Sequence, residues 1–308
     1  MVHQYLGIRG LLVAIYFSLL TTLLRSLGKN TMVRSIHNYR LHLSTHDRGL
    51  SRTLFLFGKR EIDHYLILQS ILKPGMNILD IGANIGYYAI MESIAVGSSG
   101  TVLAVEPVCS NIKMLQKNIQ LNSIRNIDVV HGAVSTHTGT AEMFMSTHSN
   151  LHTFHKEGSA ANYLNPIPMD VQTFTLKDVI GDKTQPDLIR MDVEGHEVEI
   201  LKQLGDLAEK DEICPSVIFE THLTRYTHDN DFIPVLKKLF TIGYKVVQAA
   251  SSNESGTDRI ARLGYKGSQP FYSDFGRRVI FDDIQNDDAL NAICRTGGLR
   301  TVLISKIS

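Results

Sequence analysis

The chain has 308 residues, 43% of them apolar and 20% charged, a composition that excludes disordered, collagen-like and coiled-coil classes and lets one large α/β domain bury most of its apolar surface. Cys109, Cys214 and Cys294 stand far apart with no CxxC pair, which argues against a disulfide framework or cysteine zinc site and for a reducing compartment. The 31 basic and 31 acidic residues cancel overall, but residues 1–60 hold nine Lys or Arg and one acid, Asp47, so a segment of +8 adjoins a body of −8.

A basic segment on an acidic body points to an anionic membrane surface or a nucleic acid on the basic side. Between Arg9 and Arg25 there is no charge, and Leu11 to Leu24 spans fourteen residues, mostly apolar. As a helix that run reaches about 21 Å, short of the roughly 30 Å of a hydrocarbon core. The favoured reading is an anchor over residues 10–24 that lies on the membrane or barely spans it, with the basic residues that follow keeping the rest of the chain cytoplasmic. The alternatives are a helix packed on its own domain or a partner subunit, and a cleaved signal peptide. The last lacks a small-residue cleavage site, since Arg25, Lys29 and Arg34 follow directly. This divides the chain into an apolar and basic extension, residues 1–55, and a domain, residues 56–308.

From Glu61 to Leu72 apolar residues recur at helical spacing and stop at Lys73-Pro74-Gly75. Met76 to Ile81 reads as a strand, Gly86 to Val96 as a helix, Thr101 to Val105 as a strand, Cys109 to Leu121 as an amphipathic helix and Ile127 to Val130 as a strand. Such alternation predicts a doubly wound, mostly parallel sheet. Thr140 to Met145 and Met169 to Thr173 are further strands, and the polar stretch Ser146 to Pro168 between them is long enough to be a lid or substrate loop. Leu188 to Asp192, Ser216 to Glu220 and Tyr244 to Gln248 continue the strands, with a helix from Phe232 to Ile242. Residues 251–277 read as a second long loop, and Val279 to Phe281 and Leu299 to Ser305 as closing strands.

The sharpest signal is Asn77-Ile78-Leu79-Asp80-Ile81-Gly82-Ala83-Asn84-Ile85-Gly86-Tyr87-Tyr88, a strand running through an acid and a glycine turn into a helix. Glycines let a ligand approach the backbone, and the helix start offers unpaired N–H groups. A dinucleotide fold wants GxGxxG, whereas here an acid, Asp80, precedes the first glycine of DxGxxxG. A carboxylate there repels pyrophosphate and suits a cationic ligand, which favours S-adenosylmethionine over NAD. Glu106, at the end of the next strand, is placed to accept both ribose hydroxyls. Asp128 to Ala133 ends a third strand at the place where backbone groups, Ala133 among them, would meet an adenine edge, with an ordinary strand and turn as the alternative. Tyr87 is placed on the cofactor wall, with plain packing as the alternative.

Two more strands end in titratable groups: Leu188 to Asp192 leads into Glu194, Gly195, His196 and Glu197, and Val217 to Glu220 leads into His222. Ligands bind at strand carboxyl ends in open α/β sheets, so these are site candidates.

Together these residues resemble the FkbM family of S-adenosylmethionine-dependent methyltransferases over roughly Leu56 to Gln248. The motifs are Gly58-Lys59-Arg60-Glu61, Leu79 to Tyr88, Val105-Glu106-Pro107, Asn118 to Asn122, Met191 to Glu197 and Phe219-Glu220. The resemblance implies a Rossmann-like class I methyltransferase fold. It puts Asp80, Gly82, Ala83, Asn84 and Gly86 around the methionine part, Glu106 on the ribose and Asp192 beside the transferring methyl. It further implies O-methylation, often of a sugar or polyketide hydroxyl. Arg190 stands where the family usually has Lys, which keeps the charge and changes the shape.

Methyl transfer from a sulfonium to an alcohol needs positioning and removal of one proton. Of 13 histidines, His196 is the first choice as base and His222 the second. Asp192 and Glu194 are the alternative, as ligands of a divalent cation that acidifies the hydroxyl. His148, His152 and His155 read as lid residues. The expectation is therefore a cytoplasm-facing, membrane-associated O-methyltransferase acting on a glycan, glycolipid or other small acceptor. An RNA methyltransferase is a rival reading, weakened because the apolar run suits a membrane better than a phosphate backbone. A membrane-tethered S-adenosylmethionine-binding protein without turnover is a second rival.

Overall fold

A computed structural model describes residues 2–146, 151–155, 164–165, 167–181, 185–273 and 276–306. Helix α1 (Val2–Ser26) precedes a hairpin of β1 (Thr31–Ile36) and β2 (Tyr39–Ser44), then come α2 (Leu50–Phe57) and α3 (Ile62–Ile71). The alternating part begins with β3 (Asn77–Ile81), α4 (Tyr87–Val96), β4 (Thr101–Glu106), α5 (Cys109–Leu121) and β5 (Ile127–His131). Three strands, β6 (Ala133–Val134), β7 (Gly139–Met143) and β8 (Met169–Phe174), form a separate small sheet in the order β6-β8-β7. After α6 (Leu176–Ile180) the main layer resumes with β9 (Leu188–Met191), α7 (Glu197–Glu209), β10 (Ser216–Glu220), α8 (Phe232–Thr241) and β11 (Tyr244–Ser251). The last elements are α9 (Glu254–Arg262), β12 (Phe271–Ser273), β13 (Gly276–Arg278), β14 (Ile280–Asp282), α10 (Asn286–Cys294) and β15 (Leu299–Lys306).

The main sheet has eight strands in the order β14-β11-β15-β10-β9-β3-β4-β5. From β5 to β10 every pairing is parallel, as expected of strands joined by helical crossovers. β15 enters antiparallel between β10 and β11, and β14 closes the edge antiparallel to β11. The strand order reverses at β3, with β4 and β5 on one side and β9 and β10 on the other, and at such a switch point an open α/β sheet leaves a crevice.

Side-chain alternation along the central strands assigns them to two cores. Leu79 and Ile81 of β3 and Ile189 and Met191 of β9 pack with α7 and α8 residues such as Leu204 and Leu236. Ile78 of β3 and Leu188 of β9 pack on the other face with Ile90, Leu68, Leu41 and Leu54. Asp80 and Arg190 share this second face and are register partners across β3 and β9. A buried carboxylate and a buried guanidinium are thus brought together by strand parity alone.

Three expectations change. Residues 251–277 hold α9, β12 and the start of β13; Asn253 caps α9 by accepting a hydrogen bond from Gly256 N, 2.9 Å, while Ile260 is buried inward. The basic segment contributes core: Ile36, Tyr39, Leu41, Leu43, Leu50 and Leu54 are buried in one cluster with Ile78, Tyr87 and Ile90. Among the described residues no helix is long and apolar enough to cross a membrane, which removes the spanning form of the anchor. Instead α1 packs one side on α2, with the Phe17 and Phe55 rings 5.1 Å apart. Leu12, Ile15, Tyr16, Leu19 and Leu23 stay exposed. The polar stretch 146–168 is described only in part, and His148 lies outside the described residues.

α3 is tied to the distant end of the chain through Asp63, which is fully buried. Its carboxylate accepts from Arg278 Nη1 at 2.8 Å and Thr301 Oγ1 at 2.8 Å, and from Ser273 Oγ. Against the pull of burial, Arg278 and these hydroxyls lower its pKa. A depressed acid stabilises the fold above its unfolded pKa and loses that contribution only as pH falls through the folded value. Asp63→Ala is expected to cost about 3–5 kcal/mol by removing the buried carboxylate to which Arg278 and two hydroxyls donate, measured as the urea midpoint at neutral pH. The gap between wild type and variant narrows in acid below about pH 4; a gap that is independent of pH overturns the assignment.

Candidate active site

The crevice between β3 and β9 opens into a cleft of about 830 Å³, its mouth included. The strand carboxyl ends supply its wall: Ile81, Gly82, Ala83 and Asn84 after β3, Glu106 and Pro107 after β4, Gly132 and Ala133 after β5, and Asp192, Val193, Glu194 and His196 after β9. Helix α4 adds Tyr87 and Tyr88.

The glycine turn is shaped by what lies behind it. Gly82 has φ +82°, and a Cβ there would sit 2.5 Å from the carbonyl oxygen of Asp192, so only glycine lets the two strand ends close on one another. Asn84 also adopts a left-handed conformation, φ 52°, and its N–H donates to Glu106 Oε2 at 2.9 Å. Glu106 Oε1 accepts from Val108 N and Asn111 Nδ2, both at 3.0 Å. Burial pushes this carboxyl up to about 7 against those donors. Gly86, φ +90°, serves packing: a Cβ would meet Leu115 Cδ1 at 2.6 Å, and the residue is not part of the cleft wall.

Asp80 is also behind the wall, a correction to the expectation that its charge faces the ligand. Its side chain is fully buried and contacts Arg190 Nη1 at 3.2 Å. The same nitrogen donates to Gly82 O at 3.3 Å, Nη2 lies 3.7 Å from Asp192 Oδ2, and the guanidinium carbon stands 4.3 Å from the Tyr88 ring centroid. Nε points at His64 Nε2, 3.4 Å away; burial and Arg190 hold that imidazole down to about 3, neutral and able to accept. Arg190 is thus held by acids and an aromatic face at once, a use of the planar fork that an ammonium cannot copy.

The two favoured histidines differ in charge. His196 lines the cleft; burial and the neighbouring His155 hold it down to about 4, so its ring is neutral at neutral pH. Its Nε2 is 3.2 Å from Ser135 Oγ, and Nδ1 is buried with no hydrogen-bond partner among the described residues. His222 is outside the cleft wall, with Nδ1 3.1 Å from Glu197 Oε1 and Nε2 3.8 Å from both Asp192 Oδ1 and Glu194 Oε2. Although burial opposes it, Glu197 and Glu194 raise its pKa well above the ordinary value. A ring held protonated is no proton acceptor, which counts against His222 as the base.

Several wall residues are not among the expected cofactor or catalytic residues. Leu50, Arg60 and Glu61 come from the amino-terminal part, and Met143, His152, Thr153 and Phe154 from beyond β6. Glu61 Oε1 meets Arg60 Nε at 2.5 Å, and Oε2 accepts from Tyr88 Oη at 3.1 Å. Against burial, Arg60 and Arg300 hold this carboxyl far below the usual range. Thr153 Oγ1 donates to Glu194 O at 3.0 Å, and Thr153 pairs with Phe144 through both backbone bonds, 2.8 and 3.1 Å. The lid expected around His152 and His155 is therefore, in its described part, a strap held against the wall.

A family profile described as "Methyltransferase FkbM domain" matches residues 80–246, more than half of the chain. A protein-L-isoaspartate O-methyltransferase of Methanothrix thermoacetophila is 33% identical over 61 residues, 20% of this chain and 29% of that protein. Its counterpart from Fervidobacterium nodosum is 38% identical over 61 residues, 20% of this chain and 31% of that protein. The chain thus matches less than a third of the length of these relatives. A solved FkbM methyltransferase of Methylobacillus flagellatus KT is similar in structure at 16% identity and TM-score 0.38, covering 68% of this chain and 43% of that one. M. jannaschii TYW2 in complex with AdoMet aligns at 12% identity and TM-score 0.41, covering 90% of this chain and 87% of that one.

Arg190→Met is expected to lose about 3–5 kcal/mol by stranding Asp80 without its cation. Arg190→Lys keeps the charge and loses about 1–2 kcal/mol of hydrogen bonding. Chemical denaturation ranks the three proteins, and equal midpoints for wild type and Arg190→Met overturn the central role given to this pair.

Proposed function

This chain belongs to the FkbM methyltransferase family, and from that premise we propose that it transfers the methyl group of S-adenosylmethionine to a hydroxyl oxygen of a glycan, glycolipid or other secondary metabolite. The observation that carries the reading is the excess of acids on the cleft wall, Glu61, Glu106, Asp192 and Glu194, although burial pushes the Glu106 and Glu194 carboxyls up to about 7. Its two arginines are engaged by acids, Arg60 with Glu61 and Arg190 with Asp80. Such a wall suits a cationic ligand and disfavours the phosphates of a dinucleotide or an RNA.

The residues fit S-adenosylmethionine in two further respects. The backbone at Gly82 has no Cβ to hold a ligand away. Among the described residues Glu106 Oε2 takes one donor, the Asn84 N–H, so a carboxylate with about four acceptor sites keeps capacity for a ribose hydroxyl. When bound, the sulfonium supplies an electrophilic methyl group. The chain's task is then to hold the acceptor hydroxyl in line and to receive its proton. His196 fits the second role, being neutral and on the cleft wall. Asp192 and Glu194 line the same cleft.

The reading for α1 is a helix lying on an anionic membrane surface. Its support is the outward row Leu12, Ile15, Tyr16, Leu19 and Leu23, spaced along one helical face, together with the +8 charge of residues 1–60. Flotation with phosphatidylserine vesicles is expected to recover the full chain, and Leu19→Glu to reduce recovery. Equal flotation with neutral phosphatidylcholine, or no flotation at all, overturns this position.

Calorimetric titration of the full chain is expected to give micromolar S-adenosylmethionine binding and none for NAD. Glu106→Ala weakens that binding about 10- to 100-fold, the value of charge-assisted hydrogen bonds. His196→Ala leaves it within a few-fold and lowers turnover on a hydroxylated acceptor by about 10²–10⁴. Absence of S-adenosylmethionine binding to folded protein overturns the cofactor, and a His196→Ala enzyme of unchanged rate overturns the base.

A further inference from the structure

We propose that Asp192, Glu194 and His222 form a binding site for one first-row divalent cation at the mouth of the cleft. The three side chains stand on loops that follow the neighbouring parallel strands β9 and β10. Their ligand atoms all lie within 4.8 Å of one another. His222 Nε2 is 3.8 Å from Asp192 Oδ1 and 3.8 Å from Glu194 Oε2. These separations exceed a hydrogen bond. They match the roughly 3–4 Å between atoms that share a cation at about 2.0–2.2 Å from each.

A second observation concerns the far side of the ring. His222 Nδ1 faces Glu197 Oε1 at 3.1 Å, and Glu197 also accepts from Tyr226 Oη at 2.6 Å and from Gly195 N at 2.9 Å. A buried carboxylate that takes the Nδ1 proton and fixes the ring is what metal-ligating histidines have behind them. The Nε2 edge of the ring is thereby turned on two carboxylates, and a cation bound there would displace any proton on Nε2.

A competing trio, Glu61, Asp192 and Glu220, is weaker because two of its members already hold arginines. Glu61 meets Arg60 at 2.5 Å and Glu220 meets Arg300 at 2.9 Å. The mixed set of one imidazole and two carboxylates favours Mn²⁺, Fe²⁺ or Zn²⁺ over Ca²⁺ and Mg²⁺, which prefer oxygen alone. Three protein ligands would leave positions for water or an acceptor hydroxyl, and two of the three, Asp192 and Glu194, line the cleft. A role in acidifying that hydroxyl rests on the methyl-transfer reading, whereas the binding itself does not.

The test is titration of the metal-stripped full chain with MnCl₂, followed by electron paramagnetic resonance, with S-adenosylmethionine binding measured on the same samples as a check of folding. One Mn²⁺ per chain is expected. His222→Gln and Glu194→Gln each weaken it at least tenfold, while His228→Gln, which alters a fully exposed histidine, leaves it unchanged. No stoichiometric Mn²⁺, or equal affinity in His222→Gln and wild type, overturns the site. If Mn²⁺ binds as expected, methyl transfer at full rate in chelator overturns the role in the reaction and leaves the site standing. Mn²⁺ binding without any S-adenosylmethionine binding supports the site and tells against the methyl-transfer reading instead.

Discussion

A single buried cation organises the centre of this molecule. Arg190 sits where β3 and β9 part, and its guanidinium bridges Asp80, the carbonyl of Gly82, the carboxylate of Asp192 and the face of Tyr88. A charge taken out of water is tolerable only when its partners are close and its donors occupied, so the strand ends, the glycine turn and the start of α4 are fixed together. Asp192 is held from two sides, by this guanidinium and by the backbone contact that the missing Cβ of Gly82 permits. The geometry of the cleft mouth is thus inherited from a contact behind its wall. Close by, Glu92 has both carboxyl oxygens buried without hydrogen-bond partners among the described residues, and burial together with Asp80 pushes its pKa well up. The second acid is kept neutral, and Arg190 does not have to balance it.

The cleft also draws on parts of the chain that follow different physical rules. The strand ends contribute backbone groups and acids at fixed spacing, whereas the amino-terminal elements close one side with Leu50, Arg60 and Glu61, and the strap from 151 to 155 closes another. The hairpin of β1 and β2 is locked to α5 by Asn118, which accepts from His42 N at 2.6 Å, and by Asn122, which accepts from Arg40 N at 2.9 Å. Amide side chains that complete the edge of a hairpin satisfy its backbone without adding charge. The basic character of this segment is therefore carried by its outward residues, while its inward ones are ordinary core.

How much of this was legible in the sequence follows from whether the signal was local. The run from Asn77 to Tyr88 announces strand, turn and helix within twelve residues, and the structure has all three. The facing of Asp80 was not legible: alternation says that it shares a side with Ile78, but only the packing of α3 and α4 on that side, and Arg190 opposite, turn the carboxylate away from the ligand. The grouping of Asp192, Glu194, Glu197, His222 and Tyr226 likewise depends on β9 and β10 being neighbours, a pairing that no local spacing encodes. In residues 251–277 the abundance of serine, glycine and charge concealed α9, although Asn253 was a legible cap. In residues 31–44 the count of charges drew attention from the alternation of Leu41 and Leu43, which is the mark of a half-buried strand.

The position of β15 has a consequence for how the molecule is made. Residues 299–306 fill the gap between β10 and β11, and Thr301 is the partner of Asp63, 238 residues earlier. A ribosome adding about 5–20 residues per second delivers β11 several seconds before β15, and through that interval the sheet carries two unpaired inner edges. The nascent chain therefore passes through a stage in which its most apolar strands are open to water and to other chains, and closure of the domain waits on a segment of eight residues.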